Sequence, residues 1–187
     1  TMNFSFIKES LRPSPLTRFL MVAGVIYGLW YLVYDYYLLP DGRLDEFLSL
    51  SGVNLAGGLL NLFGWEIYSD TRILAVTGTS GVEIQNGCNG LELIGLYMGF
   101  IIAYPGGPIQ KRVAFLAGGI ILLFFANVFR IMIFALSIYY VPTFWEQVHT
   151  YSSYFIFYPI VLTLWYLWTS ISDQEIPLFL SGYSSTS

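Results

Sequence analysis

The chain has 187 residues, of which 56% are hydrophobic and 11% are charged, and its formal net charge is −4. Soluble domains carry about 25% charged residues, so this composition, with a mean hydropathy of +0.63, indicates an integral membrane protein. The charges are spread thinly and form no basic run, which argues against nucleic-acid binding. The single cysteine excludes an internal disulfide and a multi-thiolate metal site.

Hydrophobic runs along the chain predict a single membrane-embedded domain (residues 1–187) with a core at about residues 17–171 and flexible termini. Four spans are expected, at residues 17–39, 90–104, 112–141 and 151–171. The first span ends in a cluster of tyrosines of the kind that lies at membrane interfaces. It is too long for a signal peptide and lacks a small-residue cleavage site, so it is expected to be retained.

The segment between the first two spans has a different character. Residues 44–65 are apolar but open with Asp45 and Glu46 and contain several glycines, so we expect an interfacial or re-entrant helix. Residues 73–76 and 82–84 have strand character and flank a glycine-bearing turn, which predicts a small β-hairpin on the outer side. The predicted fold class is therefore all-α and polytopic, with one extra helix and one hairpin outside the four spans.

The basic residues predict the orientation of this fold. They cluster before the first span (Lys8, Arg12, Arg18) and after the turn that precedes the third (Lys111, Arg112). The positive-inside rule places both clusters in the cytoplasm, which requires two crossings between them. A spanning segment at residues 44–65 would put the clusters on opposite sides. Both termini are therefore expected in the cytoplasm and the hairpin outside.

Cys88 lies between two Asn-Gly pairs, in the sequence Asn-Gly-Cys-Asn-Gly-Leu-Glu that ends at Glu92, just before an apolar helix. Asn89 is expected to cap this helix, with Glu92 at capping-box spacing. A thiol at a helix N-terminus becomes a better nucleophile because the helix dipole favours the thiolate. The alternative is a lone cysteine packed as a small hydrophobic residue.

Two further residues stand out against the apolar background. Arg130 interrupts a hydrophobic run, with Asn127 one turn earlier on the same helical face. A charge at that depth is costly and marks a candidate functional site, unless the side chain snorkels outward or pairs with an acidic group. His149, the only histidine, lies at the start of the last span and could exchange a proton with a thiol. The alternative for His149 is an ordinary interfacial side chain.

Helical counting puts these three residues at a similar depth. Cys88 lies ~17 residues before Pro105 and Arg130 lies ~18 residues after Arg112, which places both about 25–27 Å above the cytoplasmic boundary. The same rise puts His149 roughly 31 Å up the last span. We therefore expect Cys88, Arg130 and His149 to form one site near the outer face. No phosphate-loop pattern and no zinc-ligand spacing accompany them.

The motif around Cys88, the segment from Asn127 through Arg130 to Ile131, and His149, in this order, resemble the three motifs of the exosortase/archaeosortase family. The resemblance covers about residues 17–171, and the chain is similar to compact bacterial members. It implies a membrane transpeptidase with Cys88 as nucleophile and with Arg130 and His149 completing the site. Asn89, Glu92 and Asn127 would support it.

The resemblance also implies the substrate class, which is exported proteins with a C-terminal sorting motif, a transmembrane helix and a basic tail. The reaction would pass through a thioester to an acceptor glycan or lipid, without a cofactor or metal, at the outer, periplasmic face of the bacterial inner membrane. The outer loop at residues 40–87 would cover the site. Two alternatives stay open. One is an intramembrane cysteine protease that releases its product by hydrolysis, and the other is a non-enzymatic membrane assembly or transport subunit.

Overall fold

The computed structural model describes residues 15–173. The predictions for the termini, including the cytoplasmic placement of Lys8 and Arg12, lie outside this range. The helices are α1 (Pro15–Val33, continued by a π-helical turn at Tyr34–Leu38 and by Leu39–Asp41), α2 (Arg43–Leu62), α3 (Leu91–Ala103), α4 (Ile109–Tyr140), α5 (Trp145–Ser152) and α6 (Tyr158–Asp173). The strands are β1 (Ile67–Asp70), β2 (Ile73–Val76) and β3 (Val82–Glu83), and a second π-helical turn, Ser153–Phe157, joins α5 to α6.

Three helical stretches within residues 15–173 are long and apolar enough to cross a membrane, namely Leu16–Asp41, Ile109–Tyr140 and Pro142–Ser172. They confirm the prediction of a predominantly α-helical, polytopic membrane protein. The fourth predicted span corresponds to α3, which is apolar but has 13 residues. Its length of about 20 Å is less than the ~30 Å of a hydrocarbon core. Helix α3 is therefore too short to cross such a core by itself.

Helix α2 is not among the described helices that have the length and hydropathy of a span, in agreement with its interpretation as an interfacial or re-entrant helix. One of its faces is fully buried, through Val53, Ala56 and Leu60. That face packs with α4 and with the sheet in a shared hydrophobic core. The helix is thus held by tertiary contacts on one side, as expected for an amphipathic helix.

A three-stranded antiparallel sheet, in the order β1-β2-β3, follows α2. The predicted hairpin is confirmed as β2 and β3. Strand β1 was not predicted, since three of its four side chains are exposed and it lacks a clear apolar pattern. Gly81 has a φ of +71°, and a Cβ there would lie 2.7 Å from the Cβ of Ala75. Only glycine therefore fits the tight return of the chain into β3.

A second hydrophobic core joins α3, α4 and α6. Tyr97 and Trp168 are fully buried there, and the Tyr97 hydroxyl donates a hydrogen bond of 2.6 Å to the carbonyl of Phe115. Helix α4 contributes to both cores. It is therefore the common support that fixes the sheet and α2 relative to α3 and α6.

Candidate active site

The cysteine lies on a short connection between the sheet and α3. After β3, Ile84 is buried, and the chain then forms a 3₁₀ turn at Asn86–Cys88. The backbone N–H of Cys88 donates to the carbonyl of Gln85 at 2.9 Å. Arg72 donates from Nη1 to the side-chain oxygen of Asn86 at 2.6 Å. The thiol is free and half-buried, so it is both held in place and accessible.

Asn89 connects this turn to α3 and to α2. Its Oδ1 accepts the N–H of Leu91 at 2.9 Å, and its Nδ2 donates to a carboxylate oxygen of Asp45. The same carboxylate oxygen accepts from the Tyr34 hydroxyl at 3.3 Å. Asp45 is fully buried. The residue that follows Cys88 is therefore anchored to a buried acid 44 positions earlier.

The predicted capping box of Asn89 and Glu92 is wrong. The N-cap of α3 is Gly90, with a φ of +85°, so Glu92 falls at the second helical position and not the third. Glu92 is exposed. The positive φ of Gly90 turns the chain sharply, and Asn89 consequently reaches the N–H of Leu91 from one residue before the cap.

His149 lies on α5 and contacts the thiol directly. Its Nε2 is 3.3 Å from the Sγ of Cys88. The imidazole ring packs against Phe134, at 5.4 Å between ring centroids, and against Trp145, at 5.6 Å. Two aromatic side chains, from α4 and α5, therefore hold the imidazole ring by packing against it.

Arg130 is 5% exposed and does not snorkel. Its Nε donates to the hydroxyl of Ser152 at 2.9 Å, and this hydroxyl donates to the carbonyl of His149 at 2.8 Å. The guanidinium lies over the rings of Phe134 and Phe157, at 4.7 Å and 5.4 Å, which are cation–π contacts. Arg130 interacts electrostatically with both Cys88 and His149.

Asn127 is 1% exposed and lies one turn before Arg130 on α4. Its side chain packs against Gly90, where an added Cβ would be 3.5 Å from the Asn127 Cγ. Its Oδ1 has no hydrogen-bond partner within the described residues. Asn127 thus supports the start of α3 and keeps an acceptor next to the Cys88 turn.

The structure therefore brings Cys88 and His149 into contact, with Arg130 beside them, and places Asn89 and Asn127 around them. Glu92 is exposed on the first turn of α3, where it lines a cavity together with Tyr34. Sequence reasoning missed Asp45 and Ser152. For Ser152 a signal existed, because it lies one helical turn after His149.

A thiol and an imidazole in hydrogen-bond contact can exchange a proton, which activates sulfur as a nucleophile. A buried guanidinium next to them supplies hydrogen-bond donors and positive charge where an oxyanion could form. Within residues 15–173, no group of three His, Cys, Asp or Glu side chains could hold a metal ion. The chemistry that these side chains support is nucleophilic acyl transfer.

This arrangement is typical of a membrane cysteine enzyme, and comparison with known families agrees. The model of the transmembrane exosortase family matches residues 17–166, and the chain belongs to this family. No curated protein and no solved structure matches the chain. The family assignment supports a membrane sorting transpeptidase or protease in the broad sense.

Proposed function

We propose that this protein is a cysteine transpeptidase that cleaves the C-terminal sorting signal of exported proteins and transfers them to an acceptor. The observation that carries the proposal is the 3.3 Å contact between Cys88 Sγ and His149 Nε2, beside the buried Arg130. Each group has a role that acyl transfer needs, and the family membership points to sorting-signal substrates.

In the first half-reaction, His149 accepts the thiol proton and the Cys88 thiolate attacks the carbonyl carbon of the scissile peptide bond. Arg130 stabilises the oxyanion of the tetrahedral intermediate. The carbon–nitrogen bond then breaks, and the imidazolium gives its proton to the leaving amine. The products are a thioester on Cys88 and the released C-terminal helix with its basic tail.

In the second half-reaction, a hydroxyl or amine of an acceptor glycan or lipid attacks the thioester carbonyl. His149 takes the proton of this nucleophile and returns it to the sulfur as the thioester bond breaks. The free thiol is regenerated, and the exported protein is attached to the acceptor. Water in place of the acceptor gives a free carboxylate, which is the product of the protease alternative.

Replacing the nucleophile tests this proposal. Cells that carry Cys88→Ala should accumulate exported precursors that retain their C-terminal helix and basic tail, whereas cells with the unaltered protein should not. Mass spectrometry of the mature C-terminus then separates the two chemistries, since an acceptor adduct indicates transpeptidation and a free acid indicates hydrolysis. Full processing by Cys88→Ala would refute the enzymatic proposal and favour a non-enzymatic subunit.

The proposed orientation places the site at the outer face of the cytoplasmic membrane, with both termini inside. Lys111 and Arg112 begin α4 next to the C-terminal end of α3, and Cys88 lies at the opposite end of α3. Because Cys88 is the only cysteine, a membrane-impermeant maleimide reports its side of the membrane without other changes. Labelling of intact spheroplasts supports the orientation, and labelling only after lysis contradicts it.

A further inference from the structure

Within residues 15–173, strand β3 is an edge strand of the three-stranded sheet and pairs with β2 alone. Ile84 donates to the carbonyl of Arg72 at 2.9 Å, and Glu83 lies opposite Ile73. In an antiparallel pair, hydrogen-bonded and non-hydrogen-bonded positions alternate. Glu83 is therefore a non-hydrogen-bonded position, and its N–H and C=O point away from β2 towards the free edge.

The free edge of β3 borders a cavity. The cavity measures about 360 Å³ and lies between hairpin residues 80–83 and three helical residues, Ile138, Pro142 and Trp145. The helical wall is apolar, and the hairpin wall is backbone-rich because it includes Gly81. Such a groove offers main-chain hydrogen bonds on one side and an apolar surface on the other.

The groove lies next to the candidate active site, because the two share Trp145. Trp145 lines the cavity and also packs on the His149 ring, at 5.6 Å between centroids. The chain leaves β3 and reaches Cys88 within a few residues, through the 3₁₀ turn. At Gly87, next to the thiol, an added Cβ would meet no atom within 4 Å. The space at Gly87, beside the thiol, is therefore open.

We propose that the free edge of β3 binds the substrate as an added strand, so that the peptide flanking the scissile bond runs from the groove to Cys88. The inference rests on the proposed function and names how its substrate is held. The occupant is an extended peptide that exchanges main-chain hydrogen bonds with Glu83 and directs an apolar or aromatic side chain towards Trp145. β-Strand addition of this kind derives affinity from the backbone and specificity from pockets for alternate side chains.

The reaction itself favours this mode of binding. A main-chain pairing fixes the register of the peptide, and the register sets which carbonyl carbon lies at the sulfur. An extended strand also exposes each peptide bond, whereas a helical substrate would have its carbonyl oxygens occupied by internal hydrogen bonds. The sorting signal is consequently expected to be extended, not helical, where it passes β3.

The test removes the outward N–H of β3 without touching the sheet. Glu83→Pro deletes this donor, and since the N–H points away from β2 the internal ladder of the sheet stays complete. The control is Ser69→Pro, which makes the same change at an outward position of β1, on the opposite edge. The substrate is an epitope-tagged precursor that accumulates in Cys88→Ala cells. The measured quantities are the KM and kcat of its processing and the rate at which iodoacetamide alkylates Cys88.

Glu83→Pro should raise KM about 3- to 10-fold, as expected for one lost hydrogen bond, and should leave kcat and the alkylation rate within about 2-fold of the unaltered protein. Ser69→Pro should leave all three within about 2-fold. An unchanged KM in Glu83→Pro overturns strand addition while leaving the proposed function in place. Processing by Cys88→Ala overturns the proposed function instead.

A second measurement decides the matter if Glu83→Pro does not fold. The photo-crosslinking residue p-benzoylphenylalanine is placed at Ser80, which lines the groove, or at Ser69, in the Cys88→Ala protein with the same tagged precursor. A crosslink to the precursor from position 80 and none from position 69 supports the proposal. No crosslink from position 80, or an equal yield at both positions, overturns it.

Discussion

The two halves of the candidate site are held by different forces. The Cys88 half depends on hydrogen bonds between polar side chains, chiefly that of Asn89 to the buried Asp45. The Arg130 and His149 half is enclosed by aromatic rings, and Ser152 supplies one hydroxyl bridge. Buried hydrogen bonds are directional, and loss of one partner leaves the other unsatisfied, whereas aromatic packing distributes its contribution over many contacts.

The thiol and the imidazole are therefore expected to respond differently to substitution. A single polar change near Cys88 is expected to displace the nucleophile, because few bonds hold the turn. A single change in the contacts that hold His149, with Arg130 itself left in place, should be absorbed in part by the remaining rings. Four substitutions follow in order of decreasing expected effect on processing, and Asp45→Ala set against Ser152→Ala tests this contrast.

Arg130→Lys should have the largest effect, a fall in kcat of about 100-fold or more, the scale seen when an oxyanion donor is removed. Lysine keeps the charge but loses the planar guanidinium that lies between Phe134 and Phe157 and donates to Ser152. Processing of the tagged precursor gives the rate. Arg43→Lys, at an exposed ion pair with Asp41, is the matched control. Equal rates for the two variants would contradict a role for Arg130 in the reaction.

Asp45→Ala should come next. It removes the carboxylate that accepts from the Asn89 amide and the Tyr34 hydroxyl, which costs about 1–3 kcal/mol of stability. It should also lower the processing rate roughly 10-fold through displacement of the Cys88 turn. Asp45→Asn keeps an acceptor oxygen and should retain more of the stability and more of the processing rate. Thermal unfolding and iodoacetamide alkylation of Cys88 are the measurements.

Glu46→Ala is the control for Asp45, since Glu46 is the next residue of α2 and is exposed. It should change neither the thermal unfolding temperature nor the alkylation rate of Cys88 appreciably. A Cys88 alkylation rate that is the same in Asp45→Ala, Glu46→Ala and the unaltered protein would show that the buried acid stabilises α2 without positioning the nucleophile.

Ser152→Ala should have a smaller effect, a decrease in kcat of about 3- to 10-fold, because Arg130 loses one hydrogen-bond acceptor but keeps its aromatic surroundings. Ser152→Thr retains the hydroxyl and should recover part of the rate. Ser153→Ala removes a hydroxyl outside the bridge and serves as the control. If Ser152→Ala and Ser153→Ala process the precursor equally fast, the bridge from Arg130 to His149 does not matter for turnover.

Glu92→Gln should have the smallest effect. Glu92 is exposed on the first turn of α3, where its charge interacts with the helix dipole, about 0.3–1 kcal/mol, and with the nearby Tyr34 hydroxyl. Processing should stay within about 2-fold of the unaltered rate. A loss comparable to that of Asp45→Ala would mean that Glu92 contacts the substrate, as the sequence interpretation expected of a supporting residue.

Much of this fold could be predicted because the signals are local. Each signal lies within a short stretch of sequence. They are the apolar runs of span length, the glycine turn between two strand-like segments, and the amphipathic segment that begins with acidic residues. The position of Cys88 before a helix and the depth of Arg130 are local signals too. Their roles in catalysis stay predictions.

The support of the site could not be predicted in the same way. Asp45 and Asn89 are 44 positions apart, and Arg130 and Ser152 are 22 apart, so nothing in the local pattern joins them. Asp45 looked like an ordinary acid in the first turn of α2, where acids are favoured in any case. The N-cap of α3 was predicted one residue too early, at Asn89, because the residue with the positive φ is Gly90. Asparagine also tolerates a positive φ, so the sequence did not distinguish the two positions.

The π-helical turn Ser153–Phe157 carries a consequence for how insertions and deletions are tolerated. A π-turn holds one residue more than an α-turn and rotates the helix before it by about 100° relative to the helix after it. Phe157 is packed in the core and fixes the helix that follows the turn. The segment before the turn, which contains His149, is therefore the one that is rotated. Deleting one residue here would give a more regular helix whose imidazole faces away from the sulfur. Across relatives, the length of this turn should therefore be held more strictly than its sequence.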